Sequence, residues 1–151
     1  MKTNRAKKIQ NLKAQAEKAY GKMLNERPWD YYLTLTTRYE LTQKSARRAA
    51  ERFFDKIDKE YGGSVFFWAS EPFDVKEGFH IHGLIYLKNR ELAKTKTGFD
   101  LLRKLWRRVS KGNNGFENTF TKIEEFKPSG GASDYVSKYI SFEMSDYDIL
   151  I

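Results

Sequence analysis

What most constrains the fold of this chain is the way its hydrophobic period switches between two and about 3.6 residues. The stretch DYYLTLTTR (Asp30 to Arg38) turns Tyr31, Leu33 and Leu35 to one side and Tyr32, Thr34 and Thr36 to the other, which is the alternation of a strand. Thr42 is placed to cap a helix in QKSARRAAERFFDKIDKEYGG, where Ala46, Ala49, Ala50, Phe53, Phe54 and Ile57 form one stripe and Gly62-Gly63 ends it. SVFFWASE (Ser64 to Glu71) reads as an aromatic strand, PFDVKEG as a turn, and FHIHGLIYL as the returning strand. A second helix from about Gly98 to Lys111 carries Leu101, Leu102, Leu105, Trp106 and Val109. GNNG breaks it, FENTFTKIEEF reads as a further strand, and DYVSKYISFEM, after the loop KPSGGAS, is expected as a final short helix. Ahead of all this, Leu12, Ala16, Ala19, Tyr20 and Met23 recur at helical spacing in a Lys-rich stretch that stops at Pro28.

The β-α-β-β-α-β order predicts an α+β domain of ferredoxin-like (split βαβ) architecture, an antiparallel sheet with its crossover helices on one face, preceded by an N-terminal helix. The expected division is a basic helical extension over residues 1–28 and a single folded domain over 29–151, long enough to bury a core. There are no cysteines, which excludes disulfides, thiolate metal sites and cysteine nucleophiles. The basic N-terminus MKTNRAKKIQNLK has no apolar run behind it, and no stretch reaches the roughly 18 apolar residues of a membrane span. The expectation is a soluble protein of the cytoplasm with no membrane partner. A net charge of +8 favours a polyanionic partner, since Lys and Arg neutralise phosphates whatever their sequence.

The chain has two histidines, His80 and His82, both in FHIHGLIYL. Strand alternation sets Phe79, Ile81, Ile85 and Leu87 against the helices, so both imidazoles project side by side from the opposite face, where they can reach one metal ion. Taken alone, such a pair reads first as two ordinary half-buried histidines; a third ligand shifts the balance. Glu71 ends the preceding strand and comes close to His80 if the turn pairs the two strands. Two imidazoles and a carboxylate suit a divalent ion that keeps positions open for substrate. Taken alone, Glu71 is equally well a solvated strand-end carboxylate. In the last expected helix, Tyr135, Lys138 and Tyr139 lie at i, i+3 and i+4 on one face. A tyrosine hydroxyl, with pKa near ~10, attacks at neutral pH only when a cation lowers that pKa or a base takes its proton. On its own this trio reads equally as core tyrosines beside a solvated lysine.

Together these pieces supply what phosphodiester transesterification needs: a metal face and a tyrosine beside a lysine, in a basic domain. At this point the chain resembles the HUH (His–hydrophobic–His) endonucleases, specifically the rolling-circle replication initiator (Rep) proteins of plasmid and phage type. YLTLTT (Tyr32 to Thr37) looks like the first family motif, FHIHGLI is similar to the second, and DYVSKYI to the third, over roughly Tyr31 to Phe142 and in the family's order. The resemblance implies that His80 and His82 ligate Mg²⁺ or Mn²⁺, with Glu71 where many members place a third, carboxylate ligand. It implies Tyr135 as the nucleophile of a 5′-phosphotyrosyl intermediate and Lys138 as its assistant. Some phage initiators use two tyrosines at the spacing of Tyr135 and Tyr139, so Tyr139 is a second candidate. The implied function is a site-specific, metal-dependent single-stranded DNA nickase and strand transferase acting at a replication origin, with an origin hairpin as partner and a monomeric nuclease domain.

Candidate phosphate contacts are Arg38, then Lys88 and Arg90 after the histidine strand. RKLWRRVSK (Arg103 to Lys111), with five cations and no acid, adds Arg103, Arg107 and Arg108. Tyr32 and Trp68 are candidates for stacking unpaired bases, Trp68 being equally a core residue. Two alternatives stay open: a relative acting in transposition or mobilisation, and a non-catalytic single-strand-binding module on the same fold. No Gly-x-x-x-x-Gly-Lys-[Ser/Thr] loop occurs in the sequence, so no P-loop helicase motif accompanies the domain.

Overall fold

The computed structural model describes residues 4–8, 11, 15, 22, 24, 26–110, 121–127 and 146–151. β1 (Tyr31–Leu35) keeps the alternation of its sequence, burying Tyr31, Leu33 and Leu35 and leaving Tyr32 and Thr34 half-buried on the other side. α1 (Gln43–Tyr61) starts at Thr42, whose hydroxyl accepts the Ser45 N–H at 3.1 Å while the Ser45 hydroxyl accepts the Thr42 N–H at 2.7 Å. The reciprocal pair satisfies two donors that the helix leaves without partners. Gly62 closes the helix at φ +66°, a left-handed conformation that costs glycine little. The buried stripe is Ala46, Ala49, Ala50, Phe53, Ile57 and Tyr61. The alanines let the helix approach the sheet, and Phe53 packs edge-on against Phe66 and Trp106 at centroid distances of 5.8 and 5.3 Å. Burying one such side chain contributes about 1.5–3 kcal/mol.

β2 (Ser64–Pro72) and β3 (Phe79–Leu87) form a long antiparallel hairpin. A short helix, α2 (Arg90–Ala93), follows, capped by the Asn89 side chain. α3 (Lys96–Val109) starts at Thr95, whose hydroxyl accepts the Gly98 N–H at 3.0 Å, and buries Leu102, Leu105, Trp106 and Val109. β4 (Lys122–Glu125) and β5 (Tyr147–Leu150) complete the sheet, in the order β4-β1-β3-β2-β5. Every neighbouring pair is antiparallel. It follows that β1 and β2 run parallel with β3 inserted between them, and β3 and β4 run parallel with β1 inserted. That is the split βαβ arrangement the sequence order predicts.

α1 and α3 share one core with Tyr31, Leu33, Leu35, Phe66, Trp68, Ile81, Ile85 and Leu87, so both helices cover the same face of the sheet. The other face carries a smaller core of Leu24, Trp29, Val65, Phe67 and Leu84, flanked by Tyr32, Tyr86, Phe126, Tyr147 and Ile149. Leu24 belongs to the stretch expected as an extension, and its carbonyl accepts the Trp29 indole N–H at 2.5 Å. Two elements go beyond the sequence reading, α2 and β5. β5 is fastened by Arg47 of α1, whose guanidinium donates to Asp146 at 2.7 and 2.8 Å and to Asp148 at 3.0 Å. The expected final helix over DYVSKYISFEM lies outside the described residues.

Candidate metal centre

The β2–β3 register puts Glu71 opposite His80 and Ala69 opposite His82, so Glu71 is a direct neighbour of one histidine and a diagonal neighbour of the other. A loop over residues 73–78 joins the strands, closed by the Phe73 N–H donating to the Gly78 carbonyl at 3.0 Å. Gly78 sits at φ +100°, and a Cβ there would lie 2.8 Å from Cγ of Glu40, so the return to β3 needs glycine. Ile81 and Ile85 point into the helical core, which sends His80 and His82 to the opposite face.

There the three side chains converge. Nε2 of His80 and Nε2 of His82 each lie 2.8 Å from Oε2 of Glu71, and the two Nε2 atoms lie 2.8 Å from each other. Side-chain exposure is 13% for His80, 8% for His82 and 25% for Glu71, so the group is sheltered yet reachable. Burial lowers the pKa of His80 below its ordinary 6.5, outweighing the upward pull of Glu71. His82 is lowered for the same first reason, with His80 adding to the effect. Both imidazoles are therefore neutral at pH 7 and carry lone pairs. Three electron-rich atoms in a close triangle are better matched by a cation than by protons, because each proton bridges one pair only. Divalent ions with ligands near 2.1 Å hold adjacent donors about 3 Å apart, close to the spacing found here. Among the described residues, Glu71, His80 and His82 are the group able to hold a metal ion.

Two surrounding aromatics were not read from the sequence as part of this site. Phe73 packs on His80 with centroids 4.6 Å apart and 32° between planes. Tyr32, a base-stacking candidate by sequence, lies beside His82 instead, its hydroxyl 2.9 Å from His82 Nδ1. Trp68, the other stacking candidate, is fully buried in the helical core with Arg47 over its ring, so it has no face to offer a base. The parity of β1 held the signal for Tyr32, since it shares a side with Thr34 and Thr34 pairs with His82.

The candidate cations fall in three places. Arg38 lies between Leu35, which pairs with Ile81, and Leu41, whose carbonyl accepts the Phe79 N–H, so it is at the metal end of the sheet. Lys88 and Arg90 are at the other end of β3; Lys88 is six residues past His82, roughly 20 Å at about 3.3 Å per residue. Arg90 is engaged by the buried Asp30, at 2.8 and 3.0 Å, and lies over the Tyr86 ring. Arg103, Arg107 and Arg108 belong to α3, on the face away from the histidines. Tyr135, Lys138 and Tyr139 lie outside the described residues.

The model of a replication-associated protein family, that of ORF2 and its phage counterpart, matches residues 30–144, which spans β1 to β4 and all three metal-centre residues. The chain belongs to this family. No curated protein matches it. A replication-associated protein works on DNA, and the net charge of +8 accords with that partner. Among the described residues of this ORF2-type replication-associated protein, no helix is long and apolar enough to cross a membrane.

Proposed function

We propose that the protein is a site-specific, metal-dependent single-stranded DNA endonuclease and strand transferase that nicks a replication origin to start rolling-circle replication. The observation that supports this most is the convergence of two imidazole nitrogens and a carboxylate oxygen on one sheet face of a replication-associated chain. Glu71, His80 and His82 would hold Mg²⁺ or Mn²⁺, the two imidazoles favouring Mn²⁺. Such an ion, when bound, draws negative charge from a phosphate oxygen. Tyr135 is the nucleophile: its phenol oxygen bonds to phosphorus, the bond from phosphorus to the 3′ oxygen breaks, the phenol proton passes to solvent and the 3′ oxygen takes one up. The resulting 5′-phosphotyrosyl link conserves the bond for rejoining. Lys138, one helical turn away, offsets charge on the phenolate or phosphate. Arg38, Lys88, Arg90, Arg103, Arg107 and Arg108 contact phosphates along the strand or its hairpin. Residues 29–151 act as a monomeric nuclease domain in the cytoplasm, with 1–28 as a basic extension.

The deciding experiment compares the natural protein with Tyr135→Phe on an origin oligonucleotide in Mn²⁺, with EDTA as control. The natural protein is expected to form a covalent adduct that EDTA abolishes. Tyr135→Phe is expected to bind equally well and form none. An undiminished adduct in that variant would remove Tyr135 from the mechanism and move the role to Tyr139. Failure of the natural protein to cleave any single strand would leave a non-catalytic DNA-binding module.

A further inference from the structure

The two histidines of the candidate centre are held in place by different means. His80 is wedged by packing against Phe73, and its buried Nδ1 has no hydrogen-bond partner among the described residues. His82 is held by a polar contact as well. Its Nδ1 is 2.9 Å from the Tyr32 hydroxyl, and the two rings lie stacked at 5.9 Å with 23° between their planes. The register of β1 against β3 produces this pairing: Thr34 faces His82 and Tyr32 faces Leu84, so Tyr32 is the diagonal neighbour and reaches along the sheet surface. A phenol of ordinary length spans that diagonal, while the threonine directly opposite is too short to reach Nδ1.

An imidazole that offers Nε2 to a cation must carry its proton on Nδ1, and an acceptor at Nδ1 then fixes both the tautomer and the ring's rotation. A hydroxyl is suited to this place because it can also turn round and donate to Nδ1 when Nε2 carries the proton toward Glu71. The ring thus remains anchored in either tautomer, so no reorientation is needed when a cation arrives. We propose that Tyr32 is a positioning residue for the metal centre, holding His82 through Nδ1 so that Nε2 stays aimed at the point where Glu71 and His80 converge. The inference rests on the metal-centre reading of those three residues.

The test uses the full chain labelled with ¹⁵N and needs no catalysis. With two histidines in the sequence, the ring nitrogens of His80 and His82 can be assigned by elimination. On loading with Mg²⁺ or Zn²⁺, both diamagnetic, His82 is expected to show a protonated, slowly exchanging Nδ1. In Tyr32→Phe, which keeps the ring and removes one oxygen, that proton should exchange fast and divalent-ion affinity should fall about 10- to 100-fold by calorimetry. Phe73→Leu, which loosens the packing on His80, is expected to leave the His82 Nδ1 signal in place. If the natural protein binds no divalent ion, the metal reading and this inference fall together. If it binds and Tyr32→Phe binds as tightly with the His82 signal unchanged, the metal centre stands and the role given to Tyr32 is wrong. The natural protein's own Nδ1 signal decides the matter even if the variant is too unstable to study.

Discussion

His80 and His82 have lost most of their water, and that loss governs how protons and metal ions compete for them. Burial is the first cause lowering both pKa values below 6.5, and the nearby Glu71 only partly reverses it. Protonation therefore begins to block the ligands only as pH falls below 6.5, not as it rises above. Divalent-ion affinity is expected to stay level from about pH 8 to about pH 6.5, then drop up to roughly 100-fold per unit once both imidazoles protonate, one factor of ten for each proton displaced. Calorimetric Mn²⁺ titrations across that range check it; a decline already evident above pH 6.5 would mean the rings are more solvated than their burial implies. Much at this scale was legible in the sequence, because the parity of FHIHGLIYL alone separates His80 and His82 from Ile81 and Ile85. Glu71 was legible once the turn was taken to pair the strands. Tyr32 and Phe73 were not, since their partners depend on register and loop path rather than on spacing. Nor was the engagement of Arg90 by Asp30, which joins residues sixty positions apart.

Elements with a sustained period were legible, and the two short ones were not. α1 runs over 19 residues and announces itself by its stripe and caps, whereas α2 and β5 have four residues each, too few to display a period. β5 exists through its partners: it pairs with β2 and is tied to α1 by Arg47. α2 exists through a corner that Gly98 permits. A Cβ at Gly98 would lie 2.0 Å from the Leu92 carbonyl oxygen, and the Gly98 carbonyl accepts the buried Tyr61 hydroxyl. Helix propensity alone would favour alanine at this position of α3 by about 1 kcal/mol. Overpacking against an immovable backbone atom costs typically 1–3 kcal/mol and should win. Gly98→Ala is thus expected to lower stability by about 1–2 kcal/mol net in urea unfolding. A stabilised variant would show that the α2–α3 corner yields more easily than its geometry implies.

At the scale of the whole molecule, the sheet separates charge from chemistry. Arg103, Arg107 and Arg108 ride on α3, on the face opposite His80 and His82, while Arg38 is at the metal end of β1. The sequence gathers these cations into one inventory because composition has no sides; only the packing of α3 against Ile81, Ile85 and Leu87 assigns them to faces. A short single strand that reaches the three donors stays near Arg38 and does not pass around the sheet to α3, whereas a hairpin is long enough to do both. Each phosphate contact to a single strand contributes about 0.7 to the slope of log affinity against log salt, and each contact to a duplex about 0.9. For a short oligonucleotide covering only the cleavage site, Arg38→Ala is expected to reduce the slope by about 0.7 and Arg108→Ala to leave it unchanged. For the full hairpin, Arg108→Ala should reduce it by about 0.9 through its duplex stem. Fluorescence anisotropy over a salt series reads both. If Arg108→Ala lowers the slope for the short strand as well, the strand's path is not confined to the histidine face, and the scissile phosphate reaches the centre by a route that crosses the helical layer.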